Sequence, residues 1–215
     1  THAMVVDESD LTKDATANFA DSFDNTPLYG ADGPGSVSSV YGLSFVTSAS
    51  GLKDVATGQD IVLVQNGTVI EGHVGTAAGE KAFTITLNAS SGDVTLDQIR
   101  ALVHPDASNP NDPVDLGTTI VLTRTDTIVD RDGDQASNAA TLNIGKSLVF
   151  LDDGPSISVG LSGTTHELVV DESNLTKDAT ANFADSFTTT PSYGADGAGS
   201  VSSVYGLSFV TSASG

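Results

Sequence analysis

Hydrophobic and polar residues alternate along much of the chain with a period of two, which is the spacing of half-buried β-strands. Within residues 82–88, Phe83, Ile85 and Leu87 fall on one face and Thr84 and Thr86 on the other. Other short segments rich in β-branched and aromatic residues predict further strands. They are residues 41–46 and 205–210, 118–129, 140–144, 148–151 and 156–159.

A β-hairpin is predicted in the middle of the chain. The apolar run 61–64 is followed by Asn66-Gly67 and then by the second run 68–70. Asn-Gly supplies the two positive φ angles of a type I′ turn, which joins two tightly paired antiparallel strands. The sequence therefore predicts a hairpin that turns at Asn66-Gly67.

One segment has the pattern of a short helix or turn. Thr95 is placed to cap residues 96–103, and Gln98 stands three residues later, as in a capping box. Leu96, Ile99 and Val103 would share one face of such a helix, which His104-Pro105 would end. The polar stretch 106–115 that follows predicts a loop.

The predicted strands are short, and turn-forming residues separate them about every ten residues. This arrangement predicts an all-β fold, an antiparallel β-sandwich of immunoglobulin-like or cadherin-like type. The chain of 215 residues has no Cys and no Trp, so the disulfide and the buried Trp of antibody domains are missing. The sequence therefore supports the general β-sandwich architecture and no closer likeness to antibody domains.

The chain contains a long internal repeat. Residues 5–51 recur 164 positions later as residues 169–215, and 42 of the 47 positions are identical. The five differing pairs are Asp10/Asn174, Asp24/Thr188, Asn25/Thr189, Leu28/Ser192 and Pro34/Ala198. Such near-identity indicates a tandem array of 164-residue units, in which each copy contacts mainly its neighbours.

The repeat suggests a domain organisation. We expect a first sandwich over residues 1–150, and a linker with the start of the next repeat over residues 151–215. The alternative is that the fold boundaries are out of phase with the repeat. Residues 148–215 would then form a split or truncated lobe, and residues 1–51 would be its incomplete twin or would pair with residues 52–147.

The chain is strongly acidic, with 28 Asp and Glu against 8 Lys and Arg and a formal net charge of −20. This balance argues against nucleic acid as a partner, because phosphates are repelled. No apolar run approaches the about 18–20 residues that a membrane helix needs, so we expect no membrane insertion. So large an acidic excess opposes folding by self-repulsion and favours a compensating cation, although a solvated acidic surface is the simpler alternative.

The acidic residues cluster at predicted turns. Asp130, Asp132 and Asp134 alternate in a Gly-containing loop and could converge on Ca²⁺, which prefers six to eight oxygen ligands. The loop is not an EF-hand, because Gln135 and Thr141 stand where Gly and Glu would be required. A second cluster, Asp152 and Asp153, lies where one sandwich would end and the next begin.

Two further acidic clusters fall within the repeated segment. Asp7 and Glu8 recur as Asp171 and Glu172, and the sequence YGADG recurs at residues 29–33 and 193–197. Each cluster could equally be a solvated turn, because Asp and Gly are ordinary turn residues. Their number, at predicted domain ends of so acidic a chain, favours calcium. The glycine-rich nonapeptide of calcium-binding β-rolls is absent, so discrete loops would have to bind the ion.

The order of several motifs resembles the tandem repeats of giant type I secreted RTX adhesins, the surface-attachment and biofilm proteins of Gram-negative bacteria. The most specific motifs are VTLDQIRALVHPD and DDGPSI. The others are VVDES, LTKDATANF, YGADG, YGLSF, DRDGDQAS and TLNIG. The resemblance covers nearly the whole chain.

The resemblance implies a calcium-rigidified extender that projects a ligand-binding region away from the cell. It implies an extracellular, type I secreted, monomeric module whose partners are neighbouring repeats of the same chain. Asp130, Asp132 and Asp134, with Asp152 and Asp153, would be calcium ligands. Asp171 and Glu172 would join them from the following copy, and Asp7 and Glu8 would serve a preceding repeat.

Two other classes of function are an enzyme and a binding module. We expect no enzyme, because the sequence contains neither H-E-x-x-H, G-x-S-x-G nor a complete P-loop, and arrays of one active site are uncommon. A ligand-binding, carbohydrate-binding or homophilic adhesion module is the alternative. Exposed pairs of Tyr would favour carbohydrate binding, and burial of Tyr41 and Tyr205 would count against it.

Overall fold

The computed structural model describes residues 2–209. Fourteen β-strands lie in this part of the chain: β1 Met4–Asp7, β2 Ala15–Asn18, β3 Pro34–Phe45, β4 Ala49–Lys53, β5 Asp60–Asn66, β6 Val69–Val74, β7 Lys81–Leu87, β8 Asp93–Gln98, β9 Pro113–Asp115, β10 Ile120–Asp130, β11 Gln135–Asn143, β12 Leu148–Leu151, β13 Ser156–Leu161 and β14 Phe187–Ser192. Five short 3₁₀ turns lie at Glu8–Asp10, Ala20–Ser22, Gly145–Ser147, Ala184–Ser186 and Gly194–Asp196.

The strands form the two layers of a β-sandwich. One layer is an antiparallel sheet of six strands in the order β2-β8-β7-β6-β5-β4. The other contains two three-stranded sheets, β1-β12-β9 and β11-β10-β3. Phe83 of β7 and Phe150 of β12 pack with ring centroids 5.1 Å apart and so join the layers. The prediction of an all-β, antiparallel sandwich is confirmed, with one parallel pair, β1 and β12.

A single hydrophobic core fills the space between the layers. In β7 the predicted alternation is confirmed, since Phe83, Ile85 and Leu87 are buried and Thr86 is exposed. Each such side chain contributes about 1.5–3 kcal/mol by leaving water. The core members with less than 2 % exposure include Met4, Phe19, Ile61, Ile70, Leu96, Leu102, Leu116, Ile120 and Leu122.

The predicted hairpin is present, but its turn lies one residue later than expected. β5 and β6 pair through Asn66 and Val69, so Gly67 and Thr68 are the turn residues. Gly67 has a φ of 62°, whereas Thr68 does not have a positive φ. This pattern is typical of a type II′ turn, in which only the first central residue needs a positive φ. The predicted type I′ turn at Asn66-Gly67 is therefore wrong.

The helix or turn predicted from Thr95 is also wrong, because residues 93–98 form strand β8. Val94, Leu96 and Gln98 are buried in alternation, while Ile99 and Val103 are substantially exposed. The same residues satisfy a period of two as well as a period of 3.6 over so short a stretch. β8 pairs with both β2 and β7, and this pairing stabilises the strand conformation. Tertiary context here overrides the weak local propensity.

The other predicted strands are found with shifted ends. The segments 118–129, 140–144, 148–151 and 156–159 correspond to β10, the end of β11, β12 and β13. β3 is longer than predicted, because it pairs along most of its length with β10.

The strand predicted at 205–210 is not formed over residues 205–209, and Val210 lies outside the described residues. The sequence of residues 199–209 is the same as that of residues 35–45 in β3.

The chain divides into two compact units. The first comprises the residues up to Gly154 together with Gly194–Asp196, and it contains the sandwich core. The second comprises Pro155–Tyr193 and the residues from Gly197 onward, and its β-structure is the antiparallel pair of β13 and β14. No helix within residues 2–209 is long and apolar enough to span a membrane.

Candidate metal site

The parallel pairing of β1 and β12 brings together two carboxylates that are far apart in sequence. Asp7 is the register partner of Leu151, the last residue of each strand. Glu8 and Asp152 come directly after these residues, so both leave the sheet at the same edge. One ligand atom each of Glu8, His104 and Asp152 lies within 4.8 Å of the other two.

Glu8 is buried and held by one of its two oxygens. Its Oε1 accepts hydrogen bonds from Gln98 Nε2 at 2.7 Å, from the backbone N–H of Leu102 at 2.8 Å and from His104 Nε2 at 3.3 Å. Its Oε2 is buried and has no hydrogen-bond partner among the described residues. A buried, unpartnered carboxylate oxygen costs free energy, so this atom points to a ligand that would satisfy it.

A third and a fourth carboxylate adjoin this site. Asp152, Asp153 and Asp196 place one oxygen each within 4.8 Å of one another. The backbone N–H of Ala195 donates to both oxygens of Asp153 at 3.2 Å. Gly194 has a φ of 70°, and a Cβ there would lie 2.0 Å from Asp153 Oδ2. Only glycine therefore lets this turn approach Asp153 so closely.

The pKa values of two groups show that negative charge accumulates here. The pKa of Asp196 is raised by partial burial and by the charges of Glu8, Asp152 and Asp153. Burial by itself would lower the pKa of His104, but the hydrogen bond to Glu8 and the charges of Glu8 and Asp152 outweigh it, so the pKa is raised. Without an added cation, the site thus keeps protons that free side chains would release at the same pH.

The donor set suits a hard cation. Glu8, Asp152, Asp153 and Asp196 offer carboxylate oxygens, which Ca²⁺ prefers. His104 donates to the Glu8 oxygen that is already fixed, and so positions Glu8 with its second oxygen unpaired. A buried ion pair of Glu8 with protonated His104 is the alternative reading, but it leaves Glu8 Oε2 unsatisfied and does not account for the other three carboxylates.

The DRDGD loop forms a second, more exposed cluster in which Asp32, Asp130 and Asp132 converge. The Asp130 carboxylate accepts from the backbone N–H groups of Gly133 and Asp134, at 3.1 and 2.8 Å. A hydrogen bond from Asp132, followed by these backbone bonds, lowers the pKa of Asp130, and the same bond raises that of Asp132. Asp134 lies outside the cluster, and the ordinary capping of a β-turn explains the backbone hydrogen bonds that Asp130 accepts.

The remaining sequence-predicted ligands lie apart from both clusters. Asp7 accepts from the backbone N–H of Ser9 at 2.8 Å and caps a 3₁₀ turn. Asp171 accepts from the backbone N–H of Ser173 at 2.8 Å. Glu172 is exposed. Glu8 meets Asp152 within its own unit, and the acid that the following copy brings to Asp152 and Asp153 is Asp196.

Sequence patterns do not predict two residues of the site, His104, which positions Glu8, and Asp196. His104 lies 96 positions from Glu8, and the sequence predicts it as the end of a helix where the structure has strand β8. Asp196 belongs to the YGADG motif, which was noted as an acidic cluster, but its motif gives no indication of Asp153 as a neighbour. Glu8 and Asp152 could be predicted as neighbours only from the parallel pairing of β1 with β12.

The comparisons with known proteins give one match. No curated protein and no solved structure matches the chain. A family model described as "Domain of unknown function (DUF5801)" matches residues 3–145, which span most of the first unit, including Glu8 and His104. The chain therefore belongs to the DUF5801 family.

Proposed function

We propose that this chain is a non-catalytic extender module of a large secreted bacterial adhesin, folded and stiffened by calcium. The observation that carries the proposal is that Asp152 lies in two groups of possible ligands, one with Glu8 and His104 and the other with Asp153 and Asp196. The buried Oε2 of Glu8 has no hydrogen-bond partner among the described residues. The 164-residue repeat supports a role in an array, and the motif resemblance supports the adhesin context.

Calcium would act by electrostatics. Without the ion, four carboxylates repel one another. Burial is the main cause of the raised pKa of Asp196, and the charges of Glu8, Asp152 and Asp153 add to it. A bound Ca²⁺ removes this repulsion and stabilises the folded state by mass action, because the unfolded chain does not hold the ligands together. Glu8 Oε2, Asp152, Asp153 and Asp196 would hold the ion, and His104 would orient Glu8.

The site would also connect consecutive copies of the repeat. Glu8, His104, Asp152 and Asp153 belong to the first 164-residue copy and its end, whereas Asp196 is the equivalent of Asp32 in the next copy. An ion shared by these residues would restrict the chain between the copies. An array restrained at each junction would be a stiff spacer, which is what projection of a distal ligand-binding region requires.

The surrounding surface supports a spacer over a carbohydrate-binding module. Tyr41 is buried in β3, where its ring lies edge-on to Phe23 with centroids 6.2 Å apart. The Arg124 guanidinium carbon lies 5.9 Å from the same ring. Tyr41 is thus used in packing and offers no exposed platform, whereas its equivalent Tyr205 is 59 % exposed. We place the module outside the cell, where millimolar calcium would complete its folding.

Thermal unfolding in EDTA, in a few millimolar CaCl₂ and in equal MgCl₂ tests the proposal. We expect a rise in melting temperature of several degrees that is specific for calcium, accompanied by a calcium-dependent increase in the maximum dimension from solution scattering. A melting temperature that is the same in EDTA and in CaCl₂ would contradict the proposal that calcium stabilises the fold. A thermal shift without any change in scattering would leave a calcium-stabilised domain but contradict its role as a stiffened spacer.

A further inference from the structure

Within residues 2–209, a histidine beside a largely buried glutamate occurs twice. His73 Nε2 lies 2.9 Å from Glu71 Oε2, and His104 Nε2 lies 3.3 Å from Glu8 Oε1. The four side chains are all no more than 13 % exposed. Both pairs belong to the first compact unit. They differ in the third charged group that lies beside them.

The third group beside the first pair is a cation. Lys81 Nζ lies 2.6 Å from Glu71 Oε1, so both oxygens of this carboxylate have a partner. His73 is satisfied as well, because its Nδ1 lies 2.8 Å from the backbone oxygen of Gly79. Hydrogen bonds from Lys81 and then from His73 lower the pKa of Glu71. This group is therefore complete without any ligand.

The third group beside the second pair is another carboxylate. Asp152 places one oxygen within 4.8 Å of a ligand atom of Glu8 and of His104. Glu8 Oε2 and His104 Nδ1 are buried and have no hydrogen-bond partner among the described residues. The side chains of Glu8 and His104 are 0 % and 2 % exposed. Compared with the Glu71 group, this group lacks the cation that Lys81 provides.

A proton on His104 does not complete the group. The protonated ring would donate from Nε2 to Glu8 Oε1, but Glu8 Oε2 and the Nδ1–H would still have no partner among the described residues. Two carboxylates and one imidazolium also leave a net negative charge in a largely buried place, which is costly. A divalent cation would balance both carboxylates and leave the imidazole neutral, with a nitrogen lone pair free to bind the ion.

We propose that Glu8, His104 and Asp152 bind a divalent cation that accepts an imidazole ligand, with Zn²⁺ as its representative. Carboxylate oxygens together with a histidine nitrogen are ligands that Zn²⁺ takes in proteins, whereas Ca²⁺ and Mg²⁺ take oxygen ligands. The buried Oε1 of Gln98 also lacks a partner among the described residues, and Gln98 Nε2 lies 2.7 Å from Glu8 Oε1. Gln98 is therefore a further oxygen donor next to the site.

This site goes beyond the proposed calcium site and can be separated from it. Asp152, Asp153 and Asp196 form a group that contains oxygen donors alone, and Asp152 belongs to both groups. A shared Asp152 is compatible with two ions, because two-metal sites are common in proteins. Glu8, which is proposed above as a calcium ligand, would likewise be shared. We expect the all-oxygen group to keep Ca²⁺ and the group with His104 to take Zn²⁺.

Titration of the full chain with ZnCl₂ in excess CaCl₂ and MgCl₂ tests the site. We expect about one equivalent of Zn²⁺ to bind and to raise the melting temperature above that in CaCl₂ and MgCl₂ alone. Co²⁺ in place of Zn²⁺ adds a spectroscopic readout. Four- or five-coordinate Co²⁺ with a nitrogen ligand absorbs visible light far more strongly than the hydrated ion does.

His104→Asn removes the nitrogen ligand, and His73→Asn is its matched control. His73 has the same kind of glutamate neighbour and similar burial, but its group already contains Lys81. We expect His104→Asn to weaken Zn²⁺ binding by about tenfold or more and His73→Asn to leave it within about twofold. Asp196→Asn should keep Zn²⁺ binding, because Asp196 belongs to the all-oxygen group alone.

A second variant keeps the test decisive if His104→Asn does not fold. The chain has four histidines, and His2→Gln/His73→Gln/His166→Gln leaves His104 as the single one. This single-histidine chain should bind Zn²⁺ and develop the Co²⁺ absorption as the parent does.

The proposal would be overturned if the parent bound no Zn²⁺ in excess CaCl₂, if His104→Asn bound it as tightly as the parent, or if the single-histidine chain lost it. Zn²⁺ binding that CaCl₂ abolishes would place Zn²⁺ in the calcium site and would also contradict a second site. The calcium proposal fails separately, because the comparison of CaCl₂ with EDTA contains no Zn²⁺. A chain whose melting temperature does not respond to calcium would still be expected to bind Zn²⁺ at His104.

Discussion

Glu8 and Asp152 share one site because each directly follows a strand of the same parallel pair. Asp7 and Leu151 are register partners, so the next residue of each chain segment leaves the sheet at the same place. Glu8 then turns its Oε1 towards Gln98, Leu102 and His104, and its Oε2 stays buried without a partner. Strand register, and no local motif, builds the centre of the candidate calcium site.

Asp152→Asn tests this centre, and Asp134→Asn is its control. At a calcium concentration of 100 times Kd, binding adds about 2.7 kcal/mol of stability. We expect the parent chain to gain about 5–10 °C in melting temperature from this, and Asp152→Asn to lose most of the gain.

Asp134 lies in the exposed DRDGD loop, outside the group formed by Asp32, Asp130 and Asp132. Asp134→Asn should therefore keep the calcium-dependent gain. If Asp134→Asn abolished the gain and Asp152→Asn did not, the calcium site would have to be moved to the DRDGD loop. Calorimetric titration of both variants would give the number of ions lost in each.

Gly194→Ala should weaken calcium binding through the position of Asp153. A Cβ at Gly194 would lie 2.0 Å from Asp153 Oδ2, so either the carboxylate or the turn carrying Asp196 must move. Gly30 is the matched control, because it has nearly the same φ, 71° against 70°, and nothing within 4 Å of its added Cβ. Both substitutions impose the same backbone strain, of about 1 kcal/mol.

The measurement is the apparent Kd for calcium of Gly194→Ala and Gly30→Ala. We expect a rise of about tenfold or more for Gly194→Ala, which corresponds to about 1.4 kcal/mol, and little change for Gly30→Ala. Equal effects of the two variants would mean that general strain, and no contact with Asp153, determines the affinity.

The sequence allowed the layers of the sandwich to be predicted far better than the site. Alternation in β7 and the β-branched run in β10 are local signals, and both segments fold as predicted. The residues of β8 are predicted as a helix, because so few residues satisfy a period of 3.6 as well as a period of two. Their strand conformation depends on pairing with β2 and β7, which the local pattern does not show. The same dependence on distant partners hid His104 and Asp196.

Asp54→Asn should be among the most destabilising single substitutions in the first unit. Asp54 is 1 % exposed and accepts from Arg100 Nε at 2.7 Å and from the backbone N–H of Thr57 at 2.9 Å. Removing one partner of a buried ion pair costs about 3–5 kcal/mol where the other charge is left uncompensated. Arg100 would keep a second ion pair, from its Nη1 to Glu80 Oε2 at 2.6 Å. Because the Arg100 side chain is 25 % exposed, we expect the lower end, about 3 kcal/mol.

Asp60→Asn is the control for this prediction, since Asp60 pairs with Lys53 on the surface. Exposed pairs contribute less than about 1 kcal/mol, so its unfolding should resemble that of the parent. Urea denaturation of the three chains in EDTA measures the difference. A loss below about 1 kcal/mol for Asp54→Asn would show that water replaces the carboxylate at no great cost.

The same carboxylate should contribute to acid sensitivity. The hydrogen bond from Arg100 is the main cause that holds the pKa of Asp54 below its ordinary value, against the opposing effect of burial. A carboxyl group with a lowered folded-state pKa stabilises the protein above its unfolded pKa, about 3.9 for Asp. That stability is lost as pH falls from about 4 through the lower folded-state pKa. The free energy of unfolding of Asp54→Asn should therefore fall less steeply in this range than that of the parent or of Asp60→Asn.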